Sequence, residues 1–191
     1  CGICGFTRAT DADMPTLKAM CDIMAHRGPD GEGQYLDAEG GIALGHRRLS
    51  LIDLAGGNQP MVRATGEHAS KVTSPAVMPD GTPCGSPESL LAKGDFAIVF
   101  NGEIYNYKDL RAELEAQGWE FQTNSDTEVL LTGFLAWGED VLDRLRGMFA
   151  FAIWNRETRE LFCARDFFGI KPFYYTQQNG QFIFASEIKC I

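Results

Sequence analysis

Met148-Phe149-Ala150-Phe151-Ala152-Ile153-Trp154 is apolar without interruption, and so is Phe96-Ala97-Ile98-Val99-Phe100. A strand that alternates can leave one face to water, whereas a continuously apolar strand needs cover on both faces. Further strand-like runs fall at 2–7, at 34–36 and 42–46 about a turn near Glu39-Gly40-Gly41, and at 160–166, 173–176 and 181–185. Helical spacing is confined to 11–24, 108–117, 125–137 and 140–145, with Ser186-Glu187-Ile188-Lys189 opening one more helix. Strands therefore outnumber helices, and the helices cluster in two places. Two packed sheets sandwiched by helices would bury both faces of such strands.

Local signals set the element ends. Asp11 or Asp13 is the candidate N-cap of the first helix, with Pro15 in its first turn. Gly118 closes the helix at 108–117. Ser125 with Glu128 fits a capping box, and Gly138 ends that helix. Residues 25–31 form a loop rich in breakers. Residues 63–95 change character, with Pro75, Pro79, Pro83 and Pro87 set among Ser, Thr and Gly. Loops beyond about 12–15 residues tend to be functional or unstructured, so this stretch reads as a long surface excursion.

The chain of 191 residues has room for one large domain and a substantial core. Lys and Arg number 17 against 26 Asp and Glu, and the resulting charge of −9 argues against a nucleic-acid backbone as partner. No apolar run approaches the roughly 18 residues of a membrane helix, and no signal peptide is expected before Cys1. Cys1, Cys4, Cys21, Cys84, Cys163 and Cys190 are irregularly spaced, which favours reduced thiols, and the expected compartment is the cytoplasm. Cys1-x-x-Cys4 superficially matches a zinc or redox pair. It lacks a second pair, and residues 1 and 4 of one strand point to opposite faces.

Several residues are candidates for chemistry. A cysteine with a free α-amino group carries nucleophile and base on one residue: the amine titrates at about 7.7–8.0 and the thiol near 8.5. Asn101-Gly102 has two readings. Between strand-like runs it is first of all a hairpin signal; the other reading is an oxyanion hole, a side-chain amide beside an uncrowded backbone N–H. Arg48 is either a solvated charge or a fork for a carboxylate. Asp126 sits in the first turn of a helix, where the dipole favours it, and is otherwise a partner for a ligand ammonium. Together Arg48 and Asp126 would clamp an amino acid by its two charged ends. Arg165-Asp166 reads as a buried ion pair steadying the turn toward Lys171-Pro172. His26 reads as a hydrogen-bonded loop residue rather than a general base.

These residues add up to a resemblance covering almost the whole chain. Cys1-Gly2-Ile3-Cys4-Gly5, His26-Arg27-Gly28-Pro29-Asp30-Gly31, Gly45-His46-Arg47-Arg48-Leu49-Ser50, Gln59-Pro60-Met61, Asn101-Gly102-Glu103-Ile104-Tyr105-Asn106 and Ser125-Asp126-Thr127-Glu128 carry it. Gly147 to Ala152, Arg165-Asp166 to Lys171-Pro172 and Ser186-Glu187-Ile188-Lys189 extend it. The chain resembles the glutaminase domain of asparagine synthetases, a class II glutamine amidotransferase. The resemblance implies the N-terminal-nucleophile hydrolase fold, an α+β four-layer αββα sandwich with two largely antiparallel sheets between helices. It implies one domain over 1–191 with a loop insertion at about 63–95, and Cys1 as the mature terminus.

The same resemblance implies roles. Cys1 would be nucleophile with its own amine as base, and Asn101 and Gly102 the oxyanion donors. Arg48 would hold the glutamine carboxylate. Glu103 and Asp126 would take its ammonium, with backbone groups of Leu49 and Ile52 completing the pocket. No metal or organic cofactor is expected for the glutaminase step. ATP and Mg are expected only in a synthetase domain, which is expected to lie outside this chain. Expected partners are glutamine, that synthetase domain or subunit, and a second copy in a homodimer. The ammonia would serve asparagine synthesis from aspartate or, alternatively, another nitrogen acceptor.

Overall fold

The computed structural model describes residues 1–50, 56–65, 72–74, 76–77 and 96–191. Sheet A has the order β10-β11-β1-β3-β2-β6. Its strands are β1 (Gly2–Thr7), β2 (Gly31–Asp37), β3 (Ile42–Arg48), β6 (Ala76–Val77), β10 (Tyr174–Gln178) and β11 (Gln181–Ala185). Sheet B has the order β5-β4-β7-β8-β9, from β4 (Met61–Arg63), β5 (Val72–Thr73), β7 (Phe96–Ile104), β8 (Gly147–Asn155) and β9 (Glu160–Arg165). Every ladder between these strands is antiparallel.

Three apolar layers separate four structural ones. Helix α1 (Met14–Ile23) covers the outer face of sheet A, where Leu17, Met20 and Cys21 meet Cys4, Phe6 and Ala43. Between the sheets lie Ile3, Leu44, Val62, Val99, Ala152 and Phe184. Beyond sheet B, α2 (Tyr107–Ala116), α3 (Asp126–Trp137) and the short α4 (Val141–Arg144) bury Leu110, Leu114, Val129 and Val141 against Ile98, Phe100 and Phe151. The period of two explains the uninterrupted apolar runs. Val99 faces the other sheet while Ile98 and Phe100 face the helices, so each face has its own core. The architecture is the expected αββα sandwich.

Four expectations need correction. Asn101-Gly102 is not a hairpin: β7 runs straight through it, with Asn101 opposite Ala150 and Gly102 opposite Phe149. Pairing along the whole of β8 overrides the local turn preference. Second, Ser125 caps α3 by accepting from the Glu128 N–H at 3.2 Å, but the box is not reciprocal. The Glu128 carboxylate turns instead to the N–H groups of Gln122 and Thr123. Third, Arg165 and Asp166 do not pair with one another. Asp166 accepts from the N–H groups of Phe149, Ile170 and Lys171, and Arg165 donates to the carbonyls of Gly169 and Lys171. Fourth, the helix expected from Ser186 is only a 3-10 turn, Ile188–Cys190. Within the excursion at 63–95, β5 and β6 add edge strands to the two sheets. Its other residues, apart from Arg63 to Thr65 and Ser74, lie outside the described residues, as does Cys84.

Candidate active site

Strand β1 lies between β11 and β3, so its N-terminal residue emerges from the middle of sheet A rather than from an edge. Gly2 is opposite Arg47, which brings Cys1 beside Arg48 and Leu49. The Cys1 Sγ accepts from the Leu49 N–H at 3.3 Å and lies 3.6 Å from the Leu49 carbonyl. Arg27 Nε donates to the Cys1 carbonyl at 2.9 Å, and Glu187 holds Arg27 at 3.3 Å and His26 at 2.7 Å. His26 is thus hydrogen-bonded as expected, although it lies in a 3-10 turn, Ala25–Arg27, rather than in an irregular loop. Burial alone would raise the Glu187 carboxyl, but bonds from Lys189, His26 and Arg27 outweigh it and hold the group at about 2. The α-amino group of Cys1 moves the other way. Burial first, then the nearby charges of Arg27 and Lys171, bring it from 8.0 down to about 6. At neutral pH it is a free base beside a thiol.

A cleft opens there, lined by Cys1, Arg48, Leu49, Gly102, Glu103 and Asp126 among others. Arg48 ends β3, is only 6% exposed, and donates to the Asn58 Oδ1 at 2.7 Å. The solvated-charge reading of Arg48 therefore falls. Asp126 is equally buried; burial raises its carboxyl to about 6, and the neighbouring Glu103 adds to that against backbone bonds from Ile104 and Thr127. The cleft thus has a cationic wall at Arg48 and an anionic one at Asp126 and Glu103. Ile52 lies outside the described residues.

The ladder of β7 explains the Asn-Gly pair. In an antiparallel ladder, alternate residues turn their N–H toward opposite neighbours. On the side away from β8, the Phe100 N–H goes to Gln59 Oε1 at 2.6 Å and the Ile104 N–H to Asp126 Oδ2 at 3.0 Å. The Gly102 N–H lies between these two, has the same parity, and faces the cleft. Residue 102 must be glycine for a reason the sequence does not show: a Cβ would come 2.1 Å from the Met148 carbonyl oxygen of β8. Asn101 points to the inter-sheet side, as Cys1 does. Its Nδ2 is buried without a hydrogen-bond partner, although Asn101 itself is not among the cleft-lining residues. A buried amide donor left unpaired is a cost unless a ligand oxygen takes it up.

Two residues here received no role from the sequence. Gln59, 5% exposed, bonds the Phe100 N–H and donates to Thr127 Oγ1 at 3.3 Å. His46, fully buried, meets the Phe100 carbonyl through Nε2 at 3.1 Å. Both stand in the quoted motifs, but nothing in one sequence says what a glutamine or histidine 41–54 residues away holds. Cys4 and Cys21 lie in the α1 core with sulfurs 3.9 Å apart, and their contact and burial push the Cys4 thiol up, away from nucleophile character. Among the described residues no group of three or more His, Cys, Asp or Glu is arranged to hold a metal, and no helix is long and apolar enough to cross a membrane.

The chain is 39% identical, over all of its length, to asparagine synthetase [glutamine-hydrolyzing] 3 of Bacillus subtilis (strain 168), of which it covers 27%. It is 46% identical over 88% of its length to a putative asparagine synthetase [glutamine-hydrolyzing] of Mycobacterium bovis, covering 23% of that protein. The chain thus spans about a quarter of the length of these relatives. Among solved structures, the glutamine phosphoribosylpyrophosphate amidotransferase of B. subtilis superposes with a TM-score of 0.72 at 24% identity, covering all of this chain and 42% of that one; this likeness establishes the fold. The profile of the glutamine amidotransferase domain matches residues 1–73 and 83–191. The chain belongs to the glutamine amidotransferase domain family.

Proposed function

We propose that the chain hydrolyses glutamine to glutamate and ammonia through a γ-glutamyl thioester on Cys1. The observation that carries this reading is a thiol and a neutral amine of one residue at a cleft with Arg48 on one wall and Asp126 with Glu103 on another. Arg48 takes the α-carboxylate of glutamine, and the two acids take its α-ammonium. The amine removes the thiol proton, and the thiolate adds to the side-chain amide carbon. Negative charge on the amide oxygen is met by the Asn101 side chain and the Gly102 N–H. The Cys1 ammonium returns its proton to the leaving nitrogen, the C–N bond breaks and ammonia departs. Water, deprotonated by the same amine, then cleaves the thioester and frees glutamate. Nucleophile, base and oxyanion donors all come from the chain, so this step draws on no metal or organic cofactor.

The relatives' names support a destination for the ammonia, the ATP-dependent amidation of aspartate to asparagine by a synthetase part outside this domain. The five described cysteines are all free thiols, which fits a reducing, cytoplasmic setting. Treatment with a diazoketone analogue of glutamine, followed by peptide mass spectrometry, tests the reading. One adduct per chain on Cys1 is expected, with glutaminase activity abolished in Cys1→Ala and kept in Cys4→Ala. Labelling elsewhere, or equal loss in both variants, would refute it.

A further inference from the structure

Strand β7 loses its neighbour on the β4 side just before the candidate oxyanion residues. Strand β4 reaches only Met61, opposite Ile98. The next residue whose backbone turns to that side is Phe100, and no strand meets it there among the described residues. Two side chains take the strand's place. Gln59 Oε1 accepts the Phe100 N–H at 2.6 Å, and His46 Nε2 donates to the Phe100 carbonyl at 3.1 Å. We infer that Gln59 and His46 are positioning residues for the reaction, fixing the backbone from which Asn101 and Gly102 present their oxyanion donors. The inference deepens the glutaminase reading and rests on it.

Three features argue for more than backbone satisfaction. The Phe100 carbonyl and the Asn101 N–H belong to one planar peptide unit, so a donor on that oxygen sets the plane on which Asn101 is mounted. Gln59 also spans two elements: its Nε2 bonds Thr127 Oγ1 on α3, next to Asp126. One amide thereby ties the oxyanion strand to the helix bearing the candidate ammonium acceptor. Gly33 of β2 permits this, since a Cβ there would come 1.9 Å from the Gln59 carbonyl oxygen. His46, finally, leaves its buried Nδ1 without a partner, a cost that an apolar filler of the same space would not carry. Burial first, then repulsion from the Cys1 amine and Arg48, lowers its pKa to about 3. The ring therefore stays neutral, with the proton on Nε2 for Phe100, through the whole working range.

The test separates transition-state from ground-state binding in the intact protein. The γ-aldehyde analogue of glutamine adds the Cys1 sulfur to its carbonyl carbon, with the thiol proton passing to the amine or to the new oxygen, and so loads the oxyanion site. Glutamate fills the clamp without loading it. Removing a whole oxyanion donor costs about 10²–10³ in rate, so displacing one in Gln59→Met or His46→Leu is expected to lower kcat by about 10- to 100-fold. Aldehyde affinity should fall by a similar factor, while KM and glutamate affinity stay within about threefold. Unchanged kcat, or equal weakening of aldehyde and glutamate, would overturn the inference. Should either variant fail to fold, Thr127→Val removes only the hydroxyl that Gln59 Nε2 bonds, and it must show the same split at smaller size. If the unaltered protein neither hydrolyses glutamine nor binds the aldehyde, the glutaminase reading itself has failed. If it does both, and the variants do too, only the positioning role has failed.

Discussion

At the scale of single residues, two groups of the cleft titrate near pH 6 for the same first reason, burial. Their signs differ in consequence. The Cys1 amine works as a base only when unprotonated, so kcat should fall as pH drops through about 6. An ordinary terminal amine would place that limb at about 7.7–8.0. Asp126 attracts an ammonium only when ionised, and its carboxyl is raised to about 6. Below that pH a proton competes with substrate, and KM for glutamine should rise. Bound ammonium stabilises the carboxylate and lowers its pKa, so the limb in kcat belongs to the amine and the limb in kcat/KM to both. Steady-state profiles from pH 5 to 9 check this assignment. In Asp126→Asn, KM should rise overall and lose its acid dependence, with the kcat limb left in place; a kcat limb that vanished with Asp126 would show that the amine is not the base.

At the scale of elements, Gly102 shows how a strand rather than a loop makes an anion site. Its N–H faces the cleft because β7 continues in register with β8 through Ile104 opposite Gly147. In Gly102→Ala the new Cβ must displace the Met148 carbonyl, which it would approach at 2.1 Å, and so pry β7 from β8. A fall in kcat of at least about 10²-fold is expected, the scale of losing one donor, with a destabilisation of about 1–3 kcal/mol typical of overpacking. Turnover and chemical unfolding measure the two; an alanine variant with full activity would remove Gly102 from the oxyanion site. This element also marks the limit of what the sequence disclosed. The Ser125 cap and the Gly118 helix end were legible, because a cap is a contact over three or four residues. The through-running strand was not, because what straightens Asn101-Gly102 is Phe149 and Ala150, nearly fifty residues away. Arg63 was read as the start of a surface excursion. It is fully buried, paired with Glu128 at 3.3 Å and bonded to Thr132, and a partner 65 residues distant leaves no local trace.

At the scale of the whole molecule, the layering was the most legible property, since it depends only on which runs alternate and which do not. Cys1 and Asn101 reach the inter-sheet space from different sheets, so the site exists only where the two sheets face one another. Aromatic residues show why composition alone does not say which side chains hold that arrangement. Phe151 is fully buried in the layer between sheet B and α3, with ring centroids 5.7 Å from Phe149 and 6.1 Å from Phe162. Phe167 is 95% exposed, in edge contact with Phe168, itself 84% exposed. Phe151→Ala removes buried area and leaves a cavity, at about 3–5 kcal/mol. For a chain of this size each kcal/mol moves Tm by roughly 2–4 °C, so a fall of about 6–20 °C is expected. Phe167→Ala removes almost no burial and should stay within about 0.5 kcal/mol. Because Phe151 is the ladder partner of Phe100, its loss should also slow turnover, through the strand that carries the oxyanion donors. Parallel melting and turnover curves of the two variants decide the matter. Equal Tm losses would mean that the sequence's phenylalanines had been assigned to the wrong sides of the fold, and with them the strand faces on which the site is built.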